Sequence, residues 1–147
     1  MKVTQPYERR VYYYETDKMG IMHHSNYIRI FEETRIFFLE CAGMSFEKIE
    51  EKGLMMPVVS VECEYKKPLQ FNDPFEVYPV ITRFNGTTLY VSYTVINKRT
   101  GEVSATGKSS HCFTDASLRP VRTKKAYPDV YEVFAENLVT DGGTVNR

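Results

Sequence analysis

The sequence predicts an α+β domain in which an antiparallel sheet packs against one dominant helix. Residues 26–42 carry apolar side chains at helical spacing, and four strand-like runs follow between residues 59 and 114 with little chain between them. Asn85-Gly86 sits between two of those runs, and because both residues tolerate positive φ the pair is a strong hairpin signal. One helix followed by strands in hairpin sequence argues for helix on sheet, not for alternating βα units.

Each element has its own pattern. Residues 7–14 are dense in aromatic and β-branched types and predict a first strand, which residues 15–25 interrupt before the helix. At 100° per residue, Tyr27, Ile30, Phe31, Thr34, Phe37, Phe38, Cys41 and Ala42 share one helix face, while Arg29, Glu33 and Glu40 lie opposite. Ile28, Ile36 and Leu39 extend the apolar surface beyond that stripe, which predicts a helix covered on more than one side. Gly43 supplies its stop. Phe46 and Ile49 give residues 45–52 a short amphipathic turn. Val59, Val61, Cys63 and Tyr65 alternate with polar residues, predicting a strand with one buried and one wet face. Pro68 and Pro74 bracket a loop, residues 75–84 form the next run, and Leu89, Val91, Tyr93 and Val95 alternate along the third. A turn at 97–101 leads to the fourth, residues 102–114, and Val130, Phe134 and Leu138 place a helix near the end. Residues 1–140 read as one domain and 141–147, with Asp141-Gly142-Gly143-Thr144, as a frayed tail.

Composition excludes several function classes. Lys plus Arg number 19 and Asp plus Glu number 19, so no global field holds a polyanion, which argues against nucleic-acid binding. No stretch approaches the roughly 20 apolar residues of a membrane helix, and the first residues lack a signal-peptide core, so a cytoplasmic protein is expected. Cys41, Cys63 and Cys112 are odd in number and far apart, predicting neither a disulfide framework nor a zinc site.

Chemistry concentrates in the strand-to-helix connection, residues 13–27, which packs Asp17, His23, His24, Ser25 and Asn26 together. A carboxylate there acts on an electrophilic carbonyl by direct attack or by taking a proton from water. Free N–H groups at the helix start, near His24 to Tyr27, offer positive dipoles to an oxyanion, and Gly20 allows the tight turn that brings acid and helix together. From residue type alone, a turn or capping role is the favoured reading of Asp17. Two adjacent histidines with no spaced third ligand make a poor metal site, so no metal is expected. Glu32 and Arg35, three apart, predict a supporting ion pair, and His111 a structural histidine.

The run Tyr14-Glu15-Thr16-Asp17-Lys18-Met19-Gly20-Ile21-Met22-His23-His24-Ser25-Asn26-Tyr27, followed by Glu32 and Arg35, resembles the signature of the 4-hydroxybenzoyl-CoA thioesterase family and its associated acyl-CoA thioesterases. Further matching pieces are Glu40-Cys41-Ala42-Gly43-Met44-Ser45, Met56-Pro57-Val58-Val59-Ser60, residues 65–73 and Arg119-Pro120, together covering nearly all of 7–135. The resemblance implies a hot-dog fold, a curved antiparallel sheet wrapped around one long central helix, with active sites at the interface of a homodimer or of the dimers of a homotetramer. It implies hydrolysis of an acyl-CoA, with acyl-carrier protein as an alternative donor, and no cofactor. Asp17 matches the catalytic carboxylate, His24 the position that helps hold the thioester, and Gly20 the turn glycine. Asn26 and Tyr27 match the residues that begin the helix, and His23 stands where an aromatic is common in the pocket. Arg83 is the one basic residue of hairpin 83–88, where some relatives carry a basic cluster for the CoA phosphates. Arg119, Arg122, Lys124 and Lys125 are the alternative. Two rivals remain: a non-catalytic acyl-CoA or carrier-protein sensor, and a hot-dog dehydratase.

Overall fold

Alternation along the strands decides where the core lies. Leu89, Val91, Tyr93 and Val95 fall on one face of a strand and all are buried, as are Phe75, Val77 and Ile81 on its neighbour. The chain is described over residues 2–139 in a computed structural model. Five strands form one antiparallel sheet in the order β1-β3-β4-β5-β2, with β1 Tyr7–Arg10, β2 Val58–Tyr65, β3 Pro74–Phe84, β4 Thr88–Asn97 and β5 Val103–Cys112. Helix α1, Ser25–Cys41, presses its apolar stripe on the inner face, and α2 (Phe46–Glu51), α3 (Thr123–Ala126) and α4 (Pro128–Glu136) complete the α+β layout.

The hairpin expected at Asn85-Gly86 joins β3 to β4: the Asn85 side chain accepts the N–H groups of Thr87 and Thr88, and Gly86 adopts φ +93°. Phe31 of α1 stacks on Tyr93 of β4, ring centroids 4.3 Å apart and nearly parallel. Burying a side chain of that size contributes about 1.5–3 kcal/mol. The close approach is possible because β5 carries Gly107 beneath the ring, where a Cβ would meet Phe31 at 2.3 Å.

Three expectations are corrected. First, β1 stops at Arg10 and Tyr13–Glu15 form a 3-10 turn. The cause is Glu15, which accepts the Tyr12 N–H at 2.8 Å and is drawn inward by Arg9, leaving Tyr13 and Tyr14 in solvent. Second, β2 is exposed along both faces except at the half-buried Cys63. It is an edge of the sheet, paired on one side only, with β5. Third, Glu32 and Arg35 form no ion pair; Arg35 donates instead to the Tyr93 hydroxyl at 2.9 Å. Helix α3, only four residues long, was not anticipated. Of the extra apolar helix residues, Leu39 is buried, whereas Ile28 and Ile36 remain exposed in the single chain. The predicted tail, 141–147, lies outside the described residues.

Candidate active site

The connection singled out in the sequence folds as a tight turn. The Asp17 N–H donates to the Ile21 carbonyl at 2.8 Å and the Gly20 N–H to the Asp17 carbonyl at 2.9 Å, with Thr16 paired across to Met22. Gly20 sits at φ +81° with open space around the missing Cβ, so backbone conformation alone calls for glycine there. One oxygen of Asp17 accepts the Met19 N–H at 2.8 Å, and the other has no partner among the described residues. The carboxylate is thereby oriented yet keeps a free oxygen.

Three ties hold this turn to the helix. The Glu15 carbonyl accepts both the His23 N–H at 2.8 Å and the Asn26 side-chain amide at 2.9 Å, so Asn26 locks the first helical turn to the 3-10 turn before Asp17. Arg9 grips both oxygens of Glu15, at 2.9 and 2.6 Å, and reaches Glu33 of α1 at 2.9 Å. Burial alone would lift the Glu15 carboxyl, but the Arg9 guanidinium and the Tyr12 N–H outweigh it and hold the pKa below its usual value. The third tie is Tyr65 at the end of β2, whose hydroxyl donates to the His24 carbonyl at 3.1 Å and whose ring meets Tyr27 edge-on at 5.1 Å.

Not all the amides expected to be free are so. The helix opens with a tightened turn in which Asn26 donates to the His23 carbonyl and Tyr27 to that of His24, while the Ser25 N–H is taken by His23 Nδ1 at 3.2 Å. The His24 N–H alone has no hydrogen-bond partner among the described residues, at the positive end of a 17-residue helix. His23 thus acts as a cap through Nδ1, and its ring stacks on that of His24 at 4.2 Å.

Asp17, His24 and Tyr27 line one open cleft of about 290 Å³, together with Met19, Ile21, Met22, Tyr65, Lys66, Lys67 and Pro68. Gly20, His23 and Asn26, expected to contact substrate, do not line it; they act on the turn and the helix start instead. Arg83 does not join it: it lies over the Tyr90 ring at 4.9 Å, in a separate trough on the outer sheet face shared with Glu62 and Lys108. Arg119 pairs with Asp115 and Lys124 lies over Tyr131, neither lining the cleft. The cations on the cleft wall are Lys66 and Lys67. Sequence reasoning gave these two and Tyr65 no role, although their adjacency just before Pro68 was the available signal. No group of three or more His, Cys, Asp and Glu side chains converges as metal ligands among the described residues.

A family model described as the Thioesterase-like superfamily matches residues 11–138. The chain belongs to this superfamily. Within it, the chain is 35% identical over 128 residues to YneP of Bacillus subtilis, named as a candidate acyl-CoA thioesterase, covering 86% of this chain and 92% of that one. Among solved structures, a DHNA-CoA thioesterase from Staphylococcus aureus superposes with a TM-score of 0.84 at 26% identity, over 89% of this chain and 88% of its own. A hypothetical protein from Aquifex aeolicus gives 0.78 at 36% identity, over 88% and 98%. These likenesses carry the hot-dog fold and the superfamily; they do not single out the 4-hydroxybenzoyl-CoA branch.

Proposed function

We propose that the protein is an acyl-CoA thioesterase in which Asp17 performs the chemistry and the start of α1 polarises the carbonyl. The observation that carries this is that Asp17 and His24 line the same cleft, and that among the described residues one Asp17 carboxylate oxygen and the His24 N–H at the helix start have no hydrogen-bond partner. A thioester carbonyl oxygen seated on the His24 N–H gains most stabilisation when it becomes the tetrahedral oxyanion, which favours the transition state over the ground state. Asp17 either attacks the carbonyl carbon, forming an anhydride that water then opens, or takes a proton from the attacking water. In both routes the C–S bond breaks and the thiolate leaves to be protonated as CoA, with water's oxygen ending in the product acid or, by way of the anhydride, in Asp17. Tyr65 and Asn26 keep the helix start in place, and His24 lines the cleft.

Lys66 and Lys67 stand at the mouth and suit the CoA phosphates better than Arg83 does within one chain. Lys66 pairs with Glu64 at 3.1 Å in an exposed, weak contact, easily exchanged for a phosphate. Relatives named as acyl-CoA thioester hydrolases, such as YbgC of Escherichia coli, 28% identical over 88 residues, support the same donor. The narrower likeness to 4-hydroxybenzoyl-CoA thioesterases belongs to this proposal too.

The working unit is a homodimer joined through the free edge of β2. An eight-residue edge with unpaired backbone groups and exposed Val58, Val59 and Val61, beside exposed Ile28 and Ile36 on α1, forms an apolar surface suited to a second copy. Cytoplasmic placement suits the three unpaired cysteines. The test is release of free thiol from a panel of acyl-CoAs. Thiol release supports the proposal; binding without release points to a sensor, and an enoyl product from a 3-hydroxyacyl thioester points to a dehydratase.

A further inference from the structure

Strand β2 turns residues inward that its own chain leaves uncovered. Val58, Val61, Cys63 and Tyr65 stand opposite His111, Ser109, Gly107 and Ala105 of β5. Those β5 residues belong to the inner face: His111, Ser109 and Ala105 are buried, and Gly107 lies beneath the Phe31 ring. Yet Val58 is 52% exposed and Tyr65 51%. Helix α1 runs antiparallel to this strand. Its start meets Tyr65, through the His24 carbonyl and the Tyr27 ring, while Glu32, Arg35 and Ile36 share a hollow of about 90 Å³ with Val58. Exposed Ile28 and Ile36 flank Glu32 at four-residue steps, so the three form one ridge along the helix.

Few registers join the free edge of β2 to the same edge of a second copy. A two-fold axis that keeps both inner faces on one side sets inward residues opposite inward ones, so the axis passes through a residue. Glu62 and Glu64 alternate with Val61 and Cys63 and point to the outer face, opposite Lys108 and Thr106. An axis at Glu62 puts its two copies directly opposite, and an axis at Cys63 puts Glu62 against Glu64 twice; like charges so placed destabilise the pair. An axis at Ser60 draws Pro57, which has no N–H to give, into the ladder beside Cys63. Val61 remains. With the axis there, Ser60 faces Glu62, and Cys63 faces the Val58-Val59 end of the partner strand, where the register with β5 shifts. The partner's Val58 thus arrives beside Tyr65, one strand spacing of roughly 4.8 Å from the end of β2 that walls the Asp17 cleft. The partner's Ile36 comes with it, because the two residues share one hollow.

We propose that the partner subunit completes the Asp17 cleft: the partner's Val58 and the partner's Ile36 form an apolar wall for the acyl group, about a two-fold axis through Val61. Asp17 and the His24 N–H come from one chain and the acyl wall from the other, so each dimer holds two complete sites and a lone chain holds none. Branched aliphatic side chains backed by Met56 and Phe46 select the apolar part of the acyl group. This deepens, and rests on, the thioesterase and dimer readings above.

Two variants carried in one dimer test this. Asp17→Asn removes the chemistry and Ile36→Trp fills the wall, so each homodimer is expected to release thiol at under about a tenth of the unaltered rate. Co-expressed with different tags and purified through both, the mixed dimer sets Asp17 of one chain against the intact Ile36 of the other at one of its two sites. Its activity should recover to about half that of the unaltered dimer. A mixed dimer as inactive as its parents places carboxylate and wall in the same chain and overturns the proposal, as does full activity in Ile36→Trp. Cross-linking supplies a readout independent of turnover. Facing residues of an antiparallel pair hold their Cα atoms about 4.5–5.5 Å apart, within disulfide reach, whereas the two copies of Cys63 stand roughly 13 Å apart in this register. Under mild oxidation Val61→Cys, in a Cys63→Ser background, should therefore run as a covalent dimer on a non-reducing gel, and the unaltered protein should form no link through Cys63. A Cys63 link in the unaltered protein, or none at position 61, overturns the register while leaving thiol release to stand. The link at position 61 with no thiol released from any acyl-CoA upholds the pairing and removes the thioesterase assignment.

Discussion

Replacing Arg9 by methionine removes the guanidinium that holds both oxygens of Glu15 and one of Glu33 and that lies over the Tyr12 and Phe75 rings, while leaving an unbranched apolar side chain in its place. The side chains of Arg9 and Glu15 are 9% and 6% exposed, so water cannot take over the lost contacts. Breaking a buried pair from one side costs about 3–5 kcal/mol, because a charge is left without compensation. For a chain of this size that lowers Tm by roughly 6–20 °C. Glu15→Gln is the milder control, at about 1–3 kcal/mol, since its oxygen still accepts the Tyr12 N–H and Arg9 still has Glu33. The pH dependence gives a sharper test. In the unaltered protein the Glu15 pKa is depressed below 4.5, so its contribution is fully present above that value and lost as pH falls through the folded-state pKa. In Arg9→Met only burial acts strongly on Glu15, the pKa rises above its ordinary value, and the destabilisation is relieved on acidification. Urea midpoints measured from pH 7 to pH 4 should therefore show the gap between the two proteins narrowing. A loss under about 1 kcal/mol at pH 7, or a gap constant across that range, refutes the reasoning.

Gly107→Ala forces a Cβ to 2.3 Å from the Phe31 ring and should cost about 1–3 kcal/mol or more in thermal unfolding, partly recovered when Phe31→Leu is added. Tyr65→Phe loses the bond to the His24 carbonyl and should reduce kcat several-fold with little change in Tm, because the ring is half-exposed and keeps its contact with Tyr27. Val59→Lys on the free edge of β2 should halve the mass seen by light scattering and depress thiol release with it; an unchanged mass would count against the proposed interface.

The long helix and the four later strands were legible because their periodicities are unbroken over many residues, and Asn85-Gly86 marked the hairpin through its own backbone preference. The shortness of β1 was not legible, because Tyr12-Tyr13-Tyr14 has strand propensity and yields only to a tertiary ion pair between Arg9 and Glu15. Likewise the alternation in β2 promised a buried face that a single chain does not supply. At the site, residue types drew attention to the connection 13–27 and the family resemblance singled out Asp17 and His24 within it, both of which line the cleft, whereas Tyr65, Lys66 and Lys67 join the cleft wall from the end of β2, far away in sequence. The Glu32 and Arg35 spacing misled because Arg35 had the Tyr93 hydroxyl within reach, a partner distant in sequence.

The central claim is that the Asp17 carboxylate carries the reaction. Single-turnover thiol release by Asp17→Asn, with a circular-dichroism spectrum matching the unaltered protein, tests it most directly. A fall of about a thousandfold or more is predicted, since the amide neither attacks nor accepts a proton. Turnover within about tenfold of the unaltered enzyme would contradict the account.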